Sequence, residues 1–130
     1  MNWVTNLFKK KEIKMESKII PDFADVSHYE KVDFNKYPYK TLITKATEGG
    51  FYIDPTFLDI QAKCKERGIK FGAYHFFRNN ISAMLQASHY LNVVKDFDMA
   101  PILDLETMDG QTINGCKRSI KVWLDEVERV

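Results

Sequence analysis

The sequence predicts an α/β protein with a parallel sheet of about four βα units. Three observations carry this. Short apolar runs alternate with segments whose apolar residues recur at helical spacing. Each strand-to-strand step is about 25–30 residues, the size of a βαβ unit. The predicted strands end in charged or polar residues, and in parallel sheets the chemistry belongs at the carboxyl ends of the strands. Such a series forms either a small doubly wound sheet or an incomplete (β/α) barrel.

Taken in order, Ile19 to Asp25 reads as the first strand, interrupted by Pro21. His28 to Tyr39 is a polar and aromatic connection with room for a short helix. Thr41 to Lys45 is the second strand, and Glu48-Gly49-Gly50 the turn after it. Asp54-Pro55 then opens a helix, with Asp54 suited to the N-cap and Pro55 to the first helical position. Phe57, Ile60, Gln61 and Cys64 follow on one face, and Gly68 is the stop signal. Lys70 to His75 is the third strand. Ser82 caps the next helix, whose expected buried stripe is Met84, Ala87, Leu91 and Val94. Ile102 to Glu106 is the fourth strand. The last helix carries Ile113, Cys116, Ile120, Trp123 and Val127 along one face.

Bulk properties narrow the function. At 130 residues the chain suits one domain with a real core. A formal net charge of +1 argues against nucleic acid as the main partner, because no basic excess is available to neutralise phosphates. No apolar run reaches the length of a membrane span. The amino-terminal segment places Trp3-Val4 and Leu7-Phe8 ahead of Lys9-Lys10-Lys11, the reverse of a secretory signal. Residues 1–18 read as an extension, and the product as made in the cytoplasm. Cys64 and Cys116 have no metal-binding spacing and fall on apolar helix faces, so both are expected to be buried free thiols.

The run Pro101-Ile102-Leu103-Asp104-Leu105-Glu106 ends in two carboxylates separated by one residue. On one strand they share a face, about 6–7 Å apart. Two such acids can split their pKa values into a proton donor and an anion, the division of labour that glycosidic cleavage requires. Asp25, Lys45, Glu48, Tyr74 and His75 join them at the predicted strand ends.

Four segments in order, Asp25-Val26-Ser27-His28-Tyr29, Lys45-Ala46-Thr47-Glu48-Gly49, Gly72-Ala73-Tyr74-His75-Phe76 and Asp104-Leu105-Glu106, resemble the family-25 glycoside hydrolases. Tyr52-Ile53-Asp54-Pro55-Thr56-Phe57 also resembles the family's stretch after the Lys-Ala-Thr-Glu-Gly segment. These enzymes are lysozymes (muramidases) of bacteria and phage endolysins. The resemblance implies a modified β/α barrel that hydrolyses the β-1,4 bond between N-acetylmuramic acid and N-acetylglucosamine in peptidoglycan, without a cofactor or metal. By position it implies that Glu106 is the general acid. Asp104 would orient the 2-acetamido group or stabilise the oxocarbenium charge, and Asp25 would line the cleft from the first strand. Tyr74, His28, Lys45, Glu48 and Phe76 would contact substrate. A closed barrel typically has about 250 residues. Residues 19–130 are therefore expected to be a partial catalytic domain lacking the later strands, with a complementary C-terminal half-domain as partner and the bacterial wall as site of action.

Plainer readings stand beside these. Strand-end acids often cap helices, and Lys45 with Glu48 suits a structural ion pair on the rim. His75 on an apolar strand reads as a satisfied core histidine. His89 reads as a surface residue and Trp123 as core. Two other functions remain: a catalytically incomplete or wall-binding remnant, and a metal-dependent hydrolase using Asp25, His28, His75, Asp104 and Glu106.

Overall fold

A computed structural model describes residues 4–5, 23–26, 32–35, 39–96 and 98–129 of the protein, with 4–5 and 23–26 as backbone. The elements are β1 (Val4–Thr5), β2 (Phe23–Val26), β3 (Thr41–Glu48), β4 (Tyr52–Ile53), α1 (Phe57–Arg67), β5 (Lys70–Phe76), α2 (Ala83–Val93), β6 (Ile102–Asp104) and α3 (Ile113–Glu128). The strands form one mixed sheet in the order β1-β6-β5-β3-β2. Neighbours along it are parallel, and β4 turns back antiparallel onto β3. The α/β class follows from the expected alternation. The outermost position beside β6 was not expected: Val4 and Thr5, from the segment read as an extension, pair with Leu103 and Asp104.

The central strands bury both faces, as parallel strands do. Leu42 through Thr47 of β3 are all buried. The period of two sorts them. On the helix-facing side Leu42, Ala46, Phe71, Ala73 and Leu103 pack against Phe57 and Cys64 of α1, Ala87 and Tyr90 of α2, and Trp123 and Val127 of α3. On the opposite side a smaller cluster joins Ile43, Tyr74 and Ile102, with Met99 against it.

Element ends differ from expectation for identifiable reasons. Helix α1 begins at Phe57, not at Pro55. Asp54 is buried and does not cap it directly. Its Oδ1 accepts from the backbone N–H of Thr56 at 2.9 Å and from the Thr56 hydroxyl at 2.7 Å, a turn that delays the helix by two residues. Gly68 ends α1 as expected, at φ 68°, where a side chain would be strained.

Of the stripe expected for α2, Ala87 and Val94 are buried and Leu91 packs against the core; Met84 is exposed, and Gln86 and Tyr90 are buried beside the stripe. These two polar-tipped residues find partners inside, with the Tyr90 hydroxyl donating to the Ala73 carbonyl at 2.9 Å. Ser82 does cap α2, its hydroxyl accepting from Leu85 N–H at 3.3 Å. In α3, Cys116, Trp123 and Val127 are buried, but Ile113 in the first turn is exposed. Both cysteines are free and buried. Within the His28–Tyr39 connection, residues 32–35 include a turn in which Asn35 N–H donates to Asp33 Oδ1 at 3.0 Å.

Candidate active site

The carboxyl ends of β3, β5 and β6 meet in register. Glu48 pairs with Phe76, and Phe76 with Asp104. Two rows deeper, Lys45 pairs with Tyr74, and Tyr74 with Ile102. Lys45 and Glu48 are three apart, a spacing that puts side chains on opposite faces of a regular strand. The register slips between Lys45 and Thr47. This bulge absorbs Ala46 and returns Glu48 to the face of Lys45. The ion pair is the result: Lys45 Nζ lies 2.6 Å from Glu48 Oε1. It also explains why β3 runs on to Glu48 instead of ending at Lys45. The Lys45 side chain is 9% exposed and that of Glu48 32%. The ammonium lies 5.1 Å from the ring centroids of both Tyr52 and Phe76. A cation held between two aromatic faces and a carboxylate is fixed in direction as well as charge.

Tyr52 reaches this group because Gly49, at φ 56°, permits the tight turn into β4. His89 pins the hairpin, its Nε2 lying 2.8 Å from the Tyr52 carbonyl. His89 is thus partly covered and engaged, not a free surface residue. The hairpin, Lys45, Glu48 and Arg78 enclose an open cleft of about 440 Å³. Phe51 at its tip is 84% exposed. A second hollow, of about 530 Å³ between Leu58, Lys65, Phe71 and Asp98, lies at the amino end of β5, away from these strand ends.

Asp104 is the last residue of β6 and is 2% exposed. Its carbonyl accepts from Phe77 N–H at 3.0 Å. The strand stops there, two residues short of Glu106, because Leu105 and Glu106 enter the loop towards α3. Strand alternation therefore does not govern the pair of acids: Asp104 is buried and Glu106 exposed. Tyr74 is buried beneath the rim among Ile43, Ile102 and Met99. Asp25 is placed by its backbone alone, opposite Ile43, which in turn pairs with Gly72. That is a deeper register row than the one holding Asp104, a stagger of the kind tilted strands produce. His28 lies outside the described residues.

His75 points to the other face. Gln86 Nε2 donates to the carbonyls of Arg78 at 2.7 Å and Ile81 at 2.9 Å, so its Oε1 is the acceptor. That oxygen takes the Arg78 N–H at 2.9 Å and His75 Nε2 at 2.9 Å. His75 therefore carries its proton on Nε2, and Nδ1 accepts from the Thr47 hydroxyl at 2.7 Å. Trp123 stacks on the ring at 5.8 Å. Burial lowers the His75 pKa from 6.5 to about 4, against the opposing effect of the hydrogen bond that His75 donates to Gln86. With both nitrogens committed and the ring behind the sheet, His75 cannot join Asp104 in a metal site. Among the described residues no group of three or more His, Cys, Asp or Glu side chains could hold a metal ion, and no helix is long and apolar enough to cross a membrane.

The sequence reading missed Arg78, Asn79 and Asp109, which tie the loops around Glu106. The signal available was weak: polar residues at two predicted loops, with no spacing rule to link them. It also missed the β4 hairpin, although Gly49-Gly50 ahead of Phe51-Tyr52-Ile53 is a recognisable turn signal.

A sequence profile described as Glycosyl hydrolases family 25 matches residues 24–130. The autolytic lysozyme of Clostridium acetobutylicum is 31% identical over 99 residues, covering 72% of this chain and 30% of that protein. The uncharacterized protein YegX of Escherichia coli is 35% identical over 88 residues, covering 65% of this chain and 32% of that one. Among solved structures, the Clostridium perfringens spore cortex lytic enzyme SleM superposes with a TM-score of 0.73 at 26% identity, over 81% of this chain and 39% of that one. A family 25 glycosyl hydrolase from Bacillus anthracis gives a TM-score of 0.73 at 23% identity, over 81% of this chain and 54% of that one, a likeness of fold. The chain thus spans about a third of the length of the curated relatives it matches.

Proposed function

The chain belongs to glycosyl hydrolase family 25, and on that premise we propose that it acts in peptidoglycan hydrolysis, cleaving the β-1,4 bond between N-acetylmuramic acid and N-acetylglucosamine at the bacterial wall. The observation that carries this reading is the register of Glu48, Phe76 and Asp104 at one rim, with Glu106 just beyond it. In this proposal Glu106 protonates the departing glycosidic oxygen. It stands exposed just beyond the strand end, at the rim where a glycan would lie. Asp104 presents negative charge from the buried strand end, towards the 2-acetamido group or the developing oxocarbenium ion. Asp25 contributes a third carboxylate from β2. Phe76 and the Lys45–Glu48 pair form the sugar-facing wall, and Tyr74 forms the floor beneath it. His28 remains a proposed contact.

The same reading includes the fold's completion. The parallel strands supply the first βα units of a barrel, and the remaining cleft wall comes from further strands, in the same polypeptide or in a complementary half-domain. The share of the solved relatives that this chain covers, 39% and 54%, supports that part.

The test is release of soluble products from insoluble peptidoglycan by the chain, alone and with a complementary C-terminal half-domain. Glu106→Gln is expected to remove about 10²–10⁴-fold of the rate, the range for a general acid. Full activity in Glu106→Gln would reject the assignment. A catalytically incomplete, wall-binding protein would instead sediment with peptidoglycan and release nothing under either condition.

A further inference from the structure

The mechanism leaves one dense polar cluster unused. It lies where the β5–α2 loop meets the loop after β6. Asn79 Nδ2 donates to the Thr107 carbonyl at 2.6 Å. Asp109 Oδ2 accepts from Asn79 N–H at 2.8 Å, and its Oδ1 lies 3.0 Å from Arg78 Nη2. Asp109 N–H returns to Thr107 Oγ1 at 3.1 Å. The Asp109 side chain is 6% exposed, so this carboxylate is spent inside the protein and not on solvent. Its backbone sits at φ 49°, alone among the non-glycine residues described in that region. Residues in this region cost energy and persist where their surroundings hold them.

Glu106 lies between two ties to the same segment. Upstream, Phe77 N–H donates to the Asp104 carbonyl. Downstream, Asn79 holds the Thr107 carbonyl. The segment is itself anchored, since Gln86 grips both the N–H and the carbonyl of Arg78. We propose that Asp109, braced by Arg78 and Asn79, is the positioning residue that fixes Glu106 relative to the end of β6. This rests on the reading of Glu106 as the general acid. An exposed acid on a loop needs such bracing, because a displacement of about 1 Å can cost 10²-fold in rate.

The test compares Asp109→Ala, Asp109→Asn and Asn79→Ala with the unaltered chain. Two readouts are taken: backbone ¹⁵N order parameters at Glu106 and Thr107, and turnover of peptidoglycan. In the unaltered chain both amides should show order parameters of about 0.85, falling below about 0.6 in Asp109→Ala. Asn79→Ala removes only the Thr107 tie and should loosen the same two amides. The kcat should drop about 10²-fold in Asp109→Ala with KM little changed. Asp109→Asn keeps an acceptor for Asn79 and tolerates positive φ, so it should restore order and recover most of the lost turnover. Unchanged order in both alanine variants overturns the proposal, as does lost order with unchanged kcat. Equal loss in Asp109→Asn and Asp109→Ala with order retained also overturns it, because the role would then be electrostatic. Absence of turnover in the unaltered chain, both alone and with a complementary half-domain, counts against the hydrolase reading instead, while the order parameters still decide the positioning claim.

Discussion

Replacing His75 with phenylalanine should change the shape of the protein's stability curve against pH, not only its height. His75 is fully buried and neutral, with a pKa of about 4 against an ordinary 6.5. Between those values the unfolded chain binds the proton and the folded one does not. Stability therefore falls as pH falls through that window, and no penalty remains above about pH 6.5. Each unit is worth about 1.4 kcal/mol, so by pH 4.5 the unaltered protein loses about 2–3 kcal/mol through this one group. Phenylalanine preserves a ring against Trp123 but leaves Thr47 Oγ and Gln86 Oε1 each short of a partner. That costs about 1–3 kcal/mol at pH 7.5 and does not titrate. The two proteins should thus differ at pH 7.5 and converge or cross near pH 4.5. Urea midpoints at four pH values, with m-values checked for constancy, measure this directly. Groups remote from His75 are common to both proteins and cancel in the difference. A constant gap across the range would show that His75 titrates normally, and the tautomer and burial arguments would fail together.

Other outcomes follow from the same structure. Lys45→Ala should leave the part-buried Glu48 carboxylate without its charged donor and cost about 1.5–3 kcal/mol, read as a urea midpoint shift. Trp123→Ala should cost about 3–5 kcal/mol and expose His75 and Tyr90, seen as a fall in the thermal midpoint. Burial, aided by Asp98, pushes the Cys64 thiol up to about 11, so at pH 8 it should resist a disulfide reagent until urea unfolds the chain. Rapid labelling in the native state would contradict the packing of α1.

Much of the architecture was legible because it rests on strong local physics. Gly68 stops α1 since only glycine sits easily at its positive φ, and the buried runs of β3 and β5 declare themselves by composition. The site was legible only as residue types. The bulge at Ala46 leaves no mark in composition, yet without it Lys45 and Glu48 would face opposite sides. Gln86 carries no apolar signal that would place it inside, yet four hydrogen bonds make its burial favourable. Asp54 carried a capping signature, but its turn used the carboxylate before the helix began. The reach of Asp109 to Asn79, 30 residues away, depends on loop placement that no local rule encodes.

Which glycosidic bond is cut shows directly in the sugar left at the new reducing end. Peptidoglycan digested by the chain, alone and with a complementary half-domain, can be reduced with borohydride and its fragments identified by mass. Fragments ending in N-acetylmuramitol, lost in Glu106→Gln, are the expected result. Fragments ending in reduced N-acetylglucosamine, or muramitol ends that persist in Glu106→Gln, would contradict it.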